Sequence, residues 1–391
     1  MQADNQTVLA LNCGSSSLKF VLFQMDGASA EPILEGEAEA IGAPGGHFSA
    51  HAKTGEIISQ AGPIASHAEA ASRVFALLDR QHTPTPCAVG HRIVHGGPFV
   101  RRHCLIDAAV LQALEAARAF APLHAPAALE AVRAAQARFR ALPHVACLDT
   151  AFHRGLPEVA RRFPLAASLQ AEGIERYGFH GLSCESILRQ LGDDVPERLI
   201  IAHLGSGCSV TAVRAGRSAD TSMGLTPSGG VMMATRSGDL DPGLVIYLMR
   251  EKGMTAEAVE MLVDRKAGMA GVSGLSGDPR RLRQADQNAD ARLALRMFVY
   301  SVRKQIAAMA AVLEGLDLLV FTGGIGEHDA ETRADIRAGL GWLGVARETA
   351  SGERAASPDE SRAIPVPVRI LQAREEAQIA RHAWSVATEG C

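Results

Sequence analysis

Two strand–turn–strand segments, about half a chain apart, most constrain the fold of this 391-residue chain. In Val8–Phe23, the apolar runs Val8–Leu11 and Leu18–Phe23 flank a turn of glycine and serine. In Arg198–Val213, a Gly–Ser–Gly turn separates two further apolar runs. Apolar runs on either side of a glycine turn are typical of β-hairpins. Their recurrence predicts two domains of related fold, with one turn from each pointing into a cleft.

Strands and helices alternate along the rest of the chain. Buried strands are predicted at Cys87–Val94 and Val145–Leu148, and Leu316–Asp329 reads as a strand that enters a glycine turn. Amphipathic helices are predicted at Ala65–Arg80, Leu105–Phe120, Pro126–Arg140 and Asp290–Leu313, and a loop is predicted at Gly271–Gly277. This order indicates an α/β fold. The apolar face of the helix Asp290–Leu313, which includes Leu293, Met297, Val302, Ile306, Met309 and Leu313, fits either a domain core or a dimer interface.

Composition limits the classes of partner. The net charge is −4 and aromatic residues make up 4% of the chain, so neither general attraction to nucleic acid nor a stacking surface for single strands is expected. No apolar run approaches the roughly 20 residues that span a bilayer, and the polar start MQADNQT does not resemble a signal peptide. The seven cysteines form no CxxC pair. A cytoplasmic protein without membrane or nucleic-acid partners is therefore expected.

Three glycine turns supply hydrogen-bond donors at strand ends. The first carries Asn12, Ser15, Ser17 and Lys19, the second His203, Gly205, Ser206 and Gly207, and the third Gly324, Ile325 and Gly326. A glycine turn after a strand is usually only a turn, but three in one chain favour a nucleoside triphosphate. None matches the pattern GxxxxGK[ST], and GGIGEH does not open a Rossmann unit.

Ionisable residues stand at several of these strand ends. Arg92 and Arg236 are flanked by glycines, which leaves room for an anion to approach, and phosphoryl transfer needs such cations. Asp149 and Glu375 are candidate oxygen ligands for Mg²⁺, although a lone aspartate at a strand end is often a helix cap. His180 and His203 fit either packed core histidines or groups of a phosphate site.

Taken together, these segments resemble the acetokinase family. The motifs LNCGSSSLKF, GHRIVHGG, LDTAFH, YGFHG, AHLGSG, TRSGDLDP and FTGGIGE follow one another in the family's order, from about Val8 to Glu376. The resemblance implies a duplicated ribonuclease H-like fold, as in actin-like ATPases, with an interdomain cleft. It also implies domains at 1–153 plus 377–391 and at 154–376. The implied reaction is reversible transfer of the ATP γ-phosphate to acetate with Mg²⁺, or Mn²⁺ as an alternative ion, in a homodimer.

The resemblance also implies roles for individual residues. The implied catalytic residues are Arg92, Asp149, His180 and Arg236. The implied nucleotide-binding residues are Asn12, Ser15, Ser17, Lys19, His203, Gly205, Ser206, Gly207, Asp278, Arg280, Gly324, Ile325 and Gly326. The acetate methyl would lie against Val94, Leu123, Phe179 and Pro227, with Arg92 also binding substrate. The implied metal ligands are Asn12, Asp149 and Glu375. Since a carboxylate is already a nucleophile, direct in-line transfer is expected, and an Arg92→Ala variant is expected to lose activity with its fold intact.

The chain departs from the family pattern at five places. Ser206 stands where the second turn commonly has asparagine, which puts nucleotide binding at that turn in question. The other departures are Ala125, Leu182, Cys184 and His328. Two alternatives stay open: a propionate or other short-chain acyl kinase of the same family, and an ATPase module without a small-molecule acceptor. One methylene in an apolar pocket is worth only about 1–3 kcal/mol, so the sequence does not separate acetate from propionate.

Overall fold

The structure, a computed structural model, describes residues 6–52, 55, 57–81, 83–345 and 365–389. Within them, the first strands are β1 (Thr7–Cys13), β2 (Leu18–Asp26), β3 (Ser29–Glu39), β4 (His47–Ala52), β5 (Ile57–Ala61), β6 (Ala88–Ile93), β7 (Cys104–Leu105) and β8 (His144–Leu148). The later strands are β9 (Arg198–Leu204), β10 (Cys208–Arg214), β11 (Arg217–Thr221), β12 (Leu318–Thr322) and β13 (Val368–Ile370).

The helices of the described residues are spread over the whole chain. The first are α1 (His67–Arg80), α2 (Ala108–Ala116), α3 (Ala125–Arg138), α4 (Glu158–Arg161), α5 (Ala167–Ala171), α6 (Gly181–Leu191) and α7 (Pro242–Arg250). The later ones are α8 (Ala256–Arg265), α9 (Gly268–Ser273), α10 (Pro279–Gln284), α11 (Ala289–Leu313), α12 (Gly323–His328), α13 (Ala330–Ala338) and α14 (Glu375–Glu389). None of these helices is long and apolar enough to cross a membrane.

Side chains at the helix starts explain several of these boundaries. Ser66 accepts a hydrogen bond from the Glu69 amide at the start of α1, and Asp107 accepts one from the Val110 amide at the start of α2. Asn288 does the same for two amides of α11. Such caps satisfy amides that have no partner within the helix.

The chain divides into two compact units. Unit 1 is Met1–Ala151, Gly181–Ser186 and Arg374–Cys391, and unit 2 is Phe152–His180 and Ile187–Ala373. The domain boundaries expected from the sequence stay a prediction.

Unit 1 is built on one eight-stranded sheet with the order β5-β4-β3-β2-β1-β6-β8-β7. Alternate residues of β1 point to opposite faces, because side chains alternate along a strand. Leu9 and Leu11 join a core that also includes residues of α1 and α3, whereas Val8 and Ala10 join a core that includes α14. Both faces of the central strand are therefore buried, which explains its nearly continuous apolar run.

Helix α14 packs closely on β6 because Gly90 has no side chain. A Cβ atom built at Gly90 would lie 2.7 Å from Cγ2 of Ile379 and 2.9 Å from Cβ of Ala383. We infer that any larger residue at position 90 would push α14 off the sheet. The close packing matters because Glu375 and Glu376 begin this helix.

Unit 2 has a five-stranded sheet with the order β11-β10-β9-β12-β13. In it, β9, β10 and β11 are antiparallel, and β9, β12 and β13 are parallel. The strands β3-β2-β1-β6-β8 of unit 1 have the same order and directions. The two related folds expected from the repeated hairpins are thus present, and the two-domain actin-like ATPase fold is confirmed.

The long helix α11 packs one face against the sheet of unit 2. Its fully buried residues include Val302, Ile306 and Leu313, as expected, and also Phe298, which was not predicted. Leu293 and Met297, however, are 39% and 42% exposed, and Ala291 and Ala294 take the buried positions in their place. The prediction that Leu293 and Met297 belong to the buried face was therefore wrong in the first two turns of the helix.

Two glycine-rich segments differ from the sequence-based expectation. The segment Gly323–His328 forms the helix α12 instead of a turn, and Gly271–Gly277, expected as a loop, begins inside the helix α9. The predicted helix Leu105–Phe120 is shorter, since α2 is followed by a 3₁₀ turn at Ala117–Phe120. Tertiary packing overrides low helix propensity in both glycine segments.

Candidate active site

Three parallel strands of unit 1 end side by side, and each has a polar residue at or just beyond its carboxyl end. Leu11 of β1 pairs with His91 of β6, and Ile93 of β6 pairs with Leu148 of β8. This register places Asn12, Arg92 and Asp149 at one edge of the sheet. Ligands of open α/β sheets generally bind beyond the carboxyl ends of the parallel strands.

Arg92 lies at the centre of this edge. Its Nε and Nη2 atoms donate to Oδ2 of Asp149 over 3.0 and 2.6 Å, and its Nη1 atom donates to Oδ1 of Asn12 over 3.0 Å. Oε2 of Glu375 lies 3.7 Å from Nη1. One guanidinium thus holds an amide and two carboxylates in fixed positions, which its planar set of donors allows.

Asn12 connects the strand end to α14. Its Nδ2 atom donates to Oε2 of Glu375 over 3.2 Å and to Oε1 of Glu376 over 2.8 Å. Glu376 was missed by sequence reasoning. The signal was the pair of adjacent glutamates, of which only the first was singled out.

The buried charges of this network shift one another's pKa values. Burial raises the pKa of the Asp149 carboxyl to about 6; Arg92 opposes this rise and Glu375 adds to it. Burial also raises the pKa of Glu376, and the neighbouring Glu375 raises it further. Burial alone would lower the pKa of Arg92, but the carboxylates of Asp149 and Glu375 hold it above its ordinary value. Arg92 is therefore cationic at any physiological pH.

The donor set of this edge fits a hard divalent cation. Oδ1 of Asp149 is buried and accepts no hydrogen bond from the residues that the structure describes. A buried carboxylate oxygen without a donor is costly unless something else satisfies it. Carboxylate and amide oxygens are the ligands that Mg²⁺ and Mn²⁺ take. Asp149, Glu375 and Asn12 thus have suitable atoms for such an ion.

The first turn lies between β1 and β2. The Gly14 amide donates to the Ser17 carbonyl over 2.9 Å, which closes the turn, while Ser15 and Lys19 are exposed and Ser17 is half-buried. Nε2 of His67 lies 3.0 Å from the Gly14 carbonyl, so this buried imidazole holds the turn from the start of α1. Sequence reasoning missed His67, since a helix-start histidine gives no pattern of its own.

The two predicted pocket residues of unit 1 are placed differently. Val94 follows β6 and is buried, and Leu123 is half-buried just before α3.

Three of the five departures from the family pattern lie in unit 1. Ala125 is the first residue of α3, so no side chain from that position caps this helix. Leu182 and Cys184 are fully buried, and Leu182 belongs to the apolar core under α14.

In unit 2, two imidazoles and one guanidinium gather at the second turn. The rings of His180 and His203 are stacked, with centroids 4.2 Å apart. A Cβ atom built at Gly207 would lie 3.3 Å from Nη1 of Arg236 and 3.4 Å from Nε2 of His180. Glycine at position 207 therefore lets both basic groups approach the backbone of the turn.

A side-chain hydroxyl and a backbone carbonyl orient these groups. Oγ of Ser209 lies 2.9 Å from Nδ1 of His180, and Nη1 of Arg236 donates to the Pro227 carbonyl over 3.1 Å. Ser209 was missed by sequence reasoning. Phe179 and Pro227 are both buried, and the Phe179 carbonyl lies 3.0 Å from Nε2 of His153.

The turn itself is shaped by its own backbone. The Gly205 amide donates to the Gly207 carbonyl over 3.0 Å, and the Ser206 carbonyl accepts from the Ala234 amide over 3.3 Å. The Ser206 side chain is exposed. A substrate could therefore reach the hydroxyl of Ser206 without displacing a packed group.

The third glycine segment lies next to the second turn. β12 is parallel to β9, with Thr322 beside His203, and a Cβ atom at Gly205 would lie 3.9 Å from the Gly324 amide nitrogen. Gly324 is exposed, Ile325 is half-buried and Gly326 is buried. Oε1 of Glu327 accepts from the Gly323 amide over 2.9 Å, so this glutamate fixes the start of α12. His328 is exposed at the end of this helix.

Asp278 and Arg280 form an ion pair at the start of α10, in which Arg280 is exposed and Asp278 is half-buried. Nη2 of Arg280 donates to Oδ2 of Asp278 over 2.9 Å, and the same aspartate caps the helix. Nη1 of Arg283 donates to Oδ2 of Asp329 over 2.6 Å, which ties α10 to the end of α12. The pair thus belongs to the same region of unit 2 as the third glycine segment.

One set of imidazole and carboxylate groups among the described residues has the close spacing of metal ligands: His103, Glu185 and His382. The Leu148 amide donates to Nδ1 of His103 over 3.1 Å, so the proton of the neutral ring lies on Nε2. Nε2 faces Oε1 of Glu185 at 3.5 Å, and Nε2 of His382 lies 2.6 Å from Oε2. A nitrogen that carries a proton is not a free metal ligand.

These three groups instead clamp α6 to α14 in unit 1. Burial alone would raise the pKa of Glu185, but the hydrogen bonds from His103 and His382 lower it to about 2. Oε1 of Gln378 is buried without a hydrogen-bond donor among the described residues, while its Nε2 lies 2.9 Å from Nε2 of His382. Gln378 thus contacts the same imidazole nitrogen that faces Glu185.

The repeated strand order, with glycine turns surrounded by arginine, imidazole and carboxylate groups, defines a phosphotransferase with the actin-like ATPase fold. The model of the acetokinase family matches residues 7–381. An acetate kinase of Deinococcus deserti is 43% identical, with 97% of each chain covered. One of Nitrobacter hamburgensis is 40% identical, with 97% of this chain and 96% of the relative covered.

Solved structures agree with the sequence relatives. The crystal structure of an acetate kinase from Porphyromonas gingivalis has a TM-score of 0.83 at 34% identity and covers 97% of this chain and 99% of that chain. A propionate kinase from Francisella tularensis has a TM-score of 0.88 at 32% identity and covers 97% and 100%. The chain belongs to the acetokinase family.

Proposed function

We propose that this chain is an acetate kinase that transfers the γ-phosphoryl group of ATP to acetate, giving acetyl phosphate and ADP, and that it also catalyses the reverse reaction. The observation that carries the proposal is the network of Asn12, Arg92 and Asp149 at the ends of three parallel strands, in a chain of the acetokinase family. A carboxylate substrate needs a cation to hold it, and Arg92 is such a group.

In unit 1, Arg92 would orient the acetate carboxylate, with Val94 and Leu123 against the methyl group. The carboxylate is already a nucleophile, so no general base is needed and the transfer is direct and in line. Mg²⁺, held by Asp149, Glu375 and Asn12, would neutralise charge on the phosphate oxygens. The orphaned Oδ1 atom of Asp149 supports this assignment, and Mn²⁺ would take the same oxygen ligands.

In unit 2, His180 and Arg236 would donate to the transferring phosphoryl group at the glycine turn around Gly207. A loose transition state spreads negative charge over the equatorial oxygens, so fixed donors and cations lower its energy. His203, Gly205 and Ser206 would bind phosphate oxygens, with Gly324–Gly326 beside them. Asp278 and Arg280 would lie near the adenosine, and the implied roles of Phe179 and Pro227 stay predictions.

The unit 1 turn would bind phosphate through Ser15, Ser17 and Lys19. The exposed positions of Ser15 and Lys19 support this role. Lys19 follows these serines in the chain and supplies a mobile cation, which suits an anion whose position changes during the reaction.

A hydroxamate assay for acyl phosphate tests the proposal. Wild-type protein with ATP, Mg²⁺ and acetate is expected to form acetyl phosphate, and omission of acetate or Mg²⁺ is expected to abolish the signal. Arg236→Gln is the matched low-activity control: it removes the cation, keeps a polar side chain of similar length, and is expected to form much less acetyl phosphate. ATP hydrolysis that does not respond to any carboxylic acid would instead identify an ATPase module.

Propionate is the second candidate substrate. The structural similarity to the propionate kinase from Francisella tularensis favours it. Relative kcat/KM values for acetate, propionate and butyrate distinguish the candidates, and a higher value for propionate would reassign the substrate within the same family. Differences of about 10- to 200-fold are the most that one methylene gives.

We also propose that the protein forms a homodimer through unit 2. Large apolar side chains are exposed on its helices: Leu244, Ile246, Tyr247 and Met249 on α7, Met261 on α8, and Leu293, Met297 and Tyr300 on α11. Burial of exposed apolar side chains between two copies would remove them from water, which favours association. Light scattering of Ile246→Glu against wild type tests it: the variant is expected to be monomeric.

The six described cysteines are free, which supports a reducing, cytoplasmic setting.

A further inference from the structure

A fully buried serine contacts the back of the His180 ring. Ser209 lies in β10, directly opposite His203 of β9, and its side chain has no exposed surface. Its Oγ atom is 2.9 Å from Nδ1 of His180. A buried hydroxyl is retained in a strand core only where it has a hydrogen-bond partner, and this imidazole is its partner.

The contact with Ser209 fixes which edge of the imidazole faces the second turn. Nδ1 lies against Ser209, whereas Nε2 is 3.4 Å from the Cβ position of Gly207, where Nη1 of Arg236 also approaches. The stacking of His180 on His203 limits rotation of the His180 ring about its Cβ–Cγ bond. Nε2 would face a bound anion. Whether Nε2 carries a proton depends on the hydrogen bond between Nδ1 and Ser209 on the opposite edge of the ring.

The backbone of His180 is also held in an uncommon conformation. Its φ of 58° and ψ of 27° lie in the left-handed region, which non-glycine residues seldom adopt. Such strain persists only where surrounding contacts hold it, and it is concentrated at functional sites. The Ser209 hydrogen bond is one of the contacts that hold this side chain in place.

We propose that Ser209 is a positioning residue for the phosphoryl transfer, and this rests on the proposed function. A hydroxyl both donates and accepts. Towards neutral His180 it donates to Nδ1, which places the ring proton on Nε2. Towards the cationic ring it accepts the Nδ1 proton, and Nε2 again carries a proton. In both states His180 presents an N–H group to the anion at the turn.

Threonine and valine at position 209 give a matched pair. Both add a branch in the same buried space, but only threonine keeps the hydroxyl. Ser209→Val is expected to have a kcat about tenfold below that of Ser209→Thr, the effect of one hydrogen bond made in the transition state. The KM for ATP is expected to change less than kcat, since the ground-state contacts of the turn stay in place. Equal kcat values in the two variants would overturn the proposal.

A double-mutant cycle separates positioning from general damage to the fold. If Ser209 acts through His180, Ser209→Val and Ser209→Thr will have the same kcat once His180→Ala is also present. An undiminished difference between the two variants in that background would mean that the hydroxyl acts elsewhere, and the proposal would fail. Thermal unfolding of all the variants shows whether each is folded at the assay temperature.

A spectroscopic test does not depend on the reaction. In ¹⁵N-histidine-labelled protein, which has 14 histidines, the His180 signals are assigned from the His180→Ala spectrum. Nδ1 and Nε2 shifts in wild type are expected to report the proton on Nε2, and Ser209→Val is expected to lose that preference while Ser209→Thr keeps it. Unchanged nitrogen shifts in Ser209→Val would overturn the proposal. A preserved tautomer effect in a protein that makes no acyl phosphate would instead reject the proposed function alone.

Discussion

The first and second glycine turns have the same scaffold and opposite chemical surroundings. Each joins an antiparallel strand pair whose first strand runs parallel to a later strand. Beyond β1, the neighbouring groups are mainly carboxylates, from Asp149, Glu375 and Glu376, around the single guanidinium of Arg92. Beside the second turn, they are the imidazoles of His180 and His203 and the guanidinium of Arg236.

Under the proposed function, the two halves of the duplicated fold would carry out two different tasks. A group of carboxylates attracts a divalent cation, whereas imidazole and guanidinium groups attract phosphate. The backbone geometry of the two turns does not need to change for this, because the side chains come from other elements: α14 in unit 1, and the segments that contain His180 and Arg236 in unit 2. If the comparison is right, variants in the two regions should fail in different ways.

The largest expected effects come from the two arginines. Arg92→Ala and Arg236→Ala are each expected to lower kcat by about 10²- to 10³-fold, the effect of removing a preorganised donor. Arg92→Ala is also expected to lower the free energy of unfolding by about 3–5 kcal/mol, because it leaves the buried Asp149 carboxylate without its cation. Arg236→Ala removes a hydrogen bond to a carbonyl oxygen and is expected to cost about 1 kcal/mol.

Urea denaturation and initial rates measure both quantities. Equal losses of stability in the two arginine variants would contradict the proposed difference between the two regions, since they would indicate that both guanidinium groups have equivalent surroundings. Because of the buried ion pair with Asp149, Arg92→Ala is expected to lose stability as well as activity.

The next largest effect is on the pH dependence of activity. The pKa of Asp149 is raised to about 6, mainly by burial, and a protonated carboxyl does not bind Mg²⁺. At low Mg²⁺, activity is expected to fall as the pH drops through about 6. Because Mg²⁺ and protons compete, raising the Mg²⁺ concentration at constant ionic strength should move the midpoint to lower pH. An acid limb that does not respond to Mg²⁺ would assign it to another group.

Adjacent glutamates at the start of α14 allow a finer test. Glu375→Gln is expected to raise the Mg²⁺ concentration needed for half activity at least tenfold. Glu376→Gln keeps an acceptor for Asn12 and removes the charge that opposes Glu375, so its expected change is no more than about threefold. Titration of activity with Mg²⁺ compares the two. Equal effects would mean that both carboxylates bind the ion.

The smallest expected effect concerns Ser206 in the second turn. Ser206→Asn is expected to lower the KM for ATP by about two- to tenfold, since the longer amide side chain adds one hydrogen bond to the phosphate. Ser15→Asn at the first turn is the matched control, because it lengthens another exposed serine of a glycine turn. A larger gain from the control would indicate that the nucleotide is held mainly at the first turn.

Local pattern was enough to predict much of the fold. The hairpins, the strands β6, β8 and β12 and the helices α1, α3 and α11 were all placed within a few residues, since apolar periodicity and turn residues are local signals. Where the chain is glycine-rich, the pattern failed: Gly323–His328 is helical because packing after β12 outweighs its low propensity. Leu293 and Met297 show the same limit, because a periodic apolar face does not reveal which of its residues meet the sheet.

The sequence by itself determined which types of residue stand at the strand ends, because glycine, arginine, aspartate and glutamate can be read there directly from the linear order of residues. Only the tertiary structure decided their partners. Asn12 meets Glu376 from a helix more than 360 residues later, at 2.8 Å, and Ser209 meets His180 across two elements. Hydrogen bonds act over about 3 Å, so which atoms satisfy one another depends on how distant segments pack, and no local pattern contains that information.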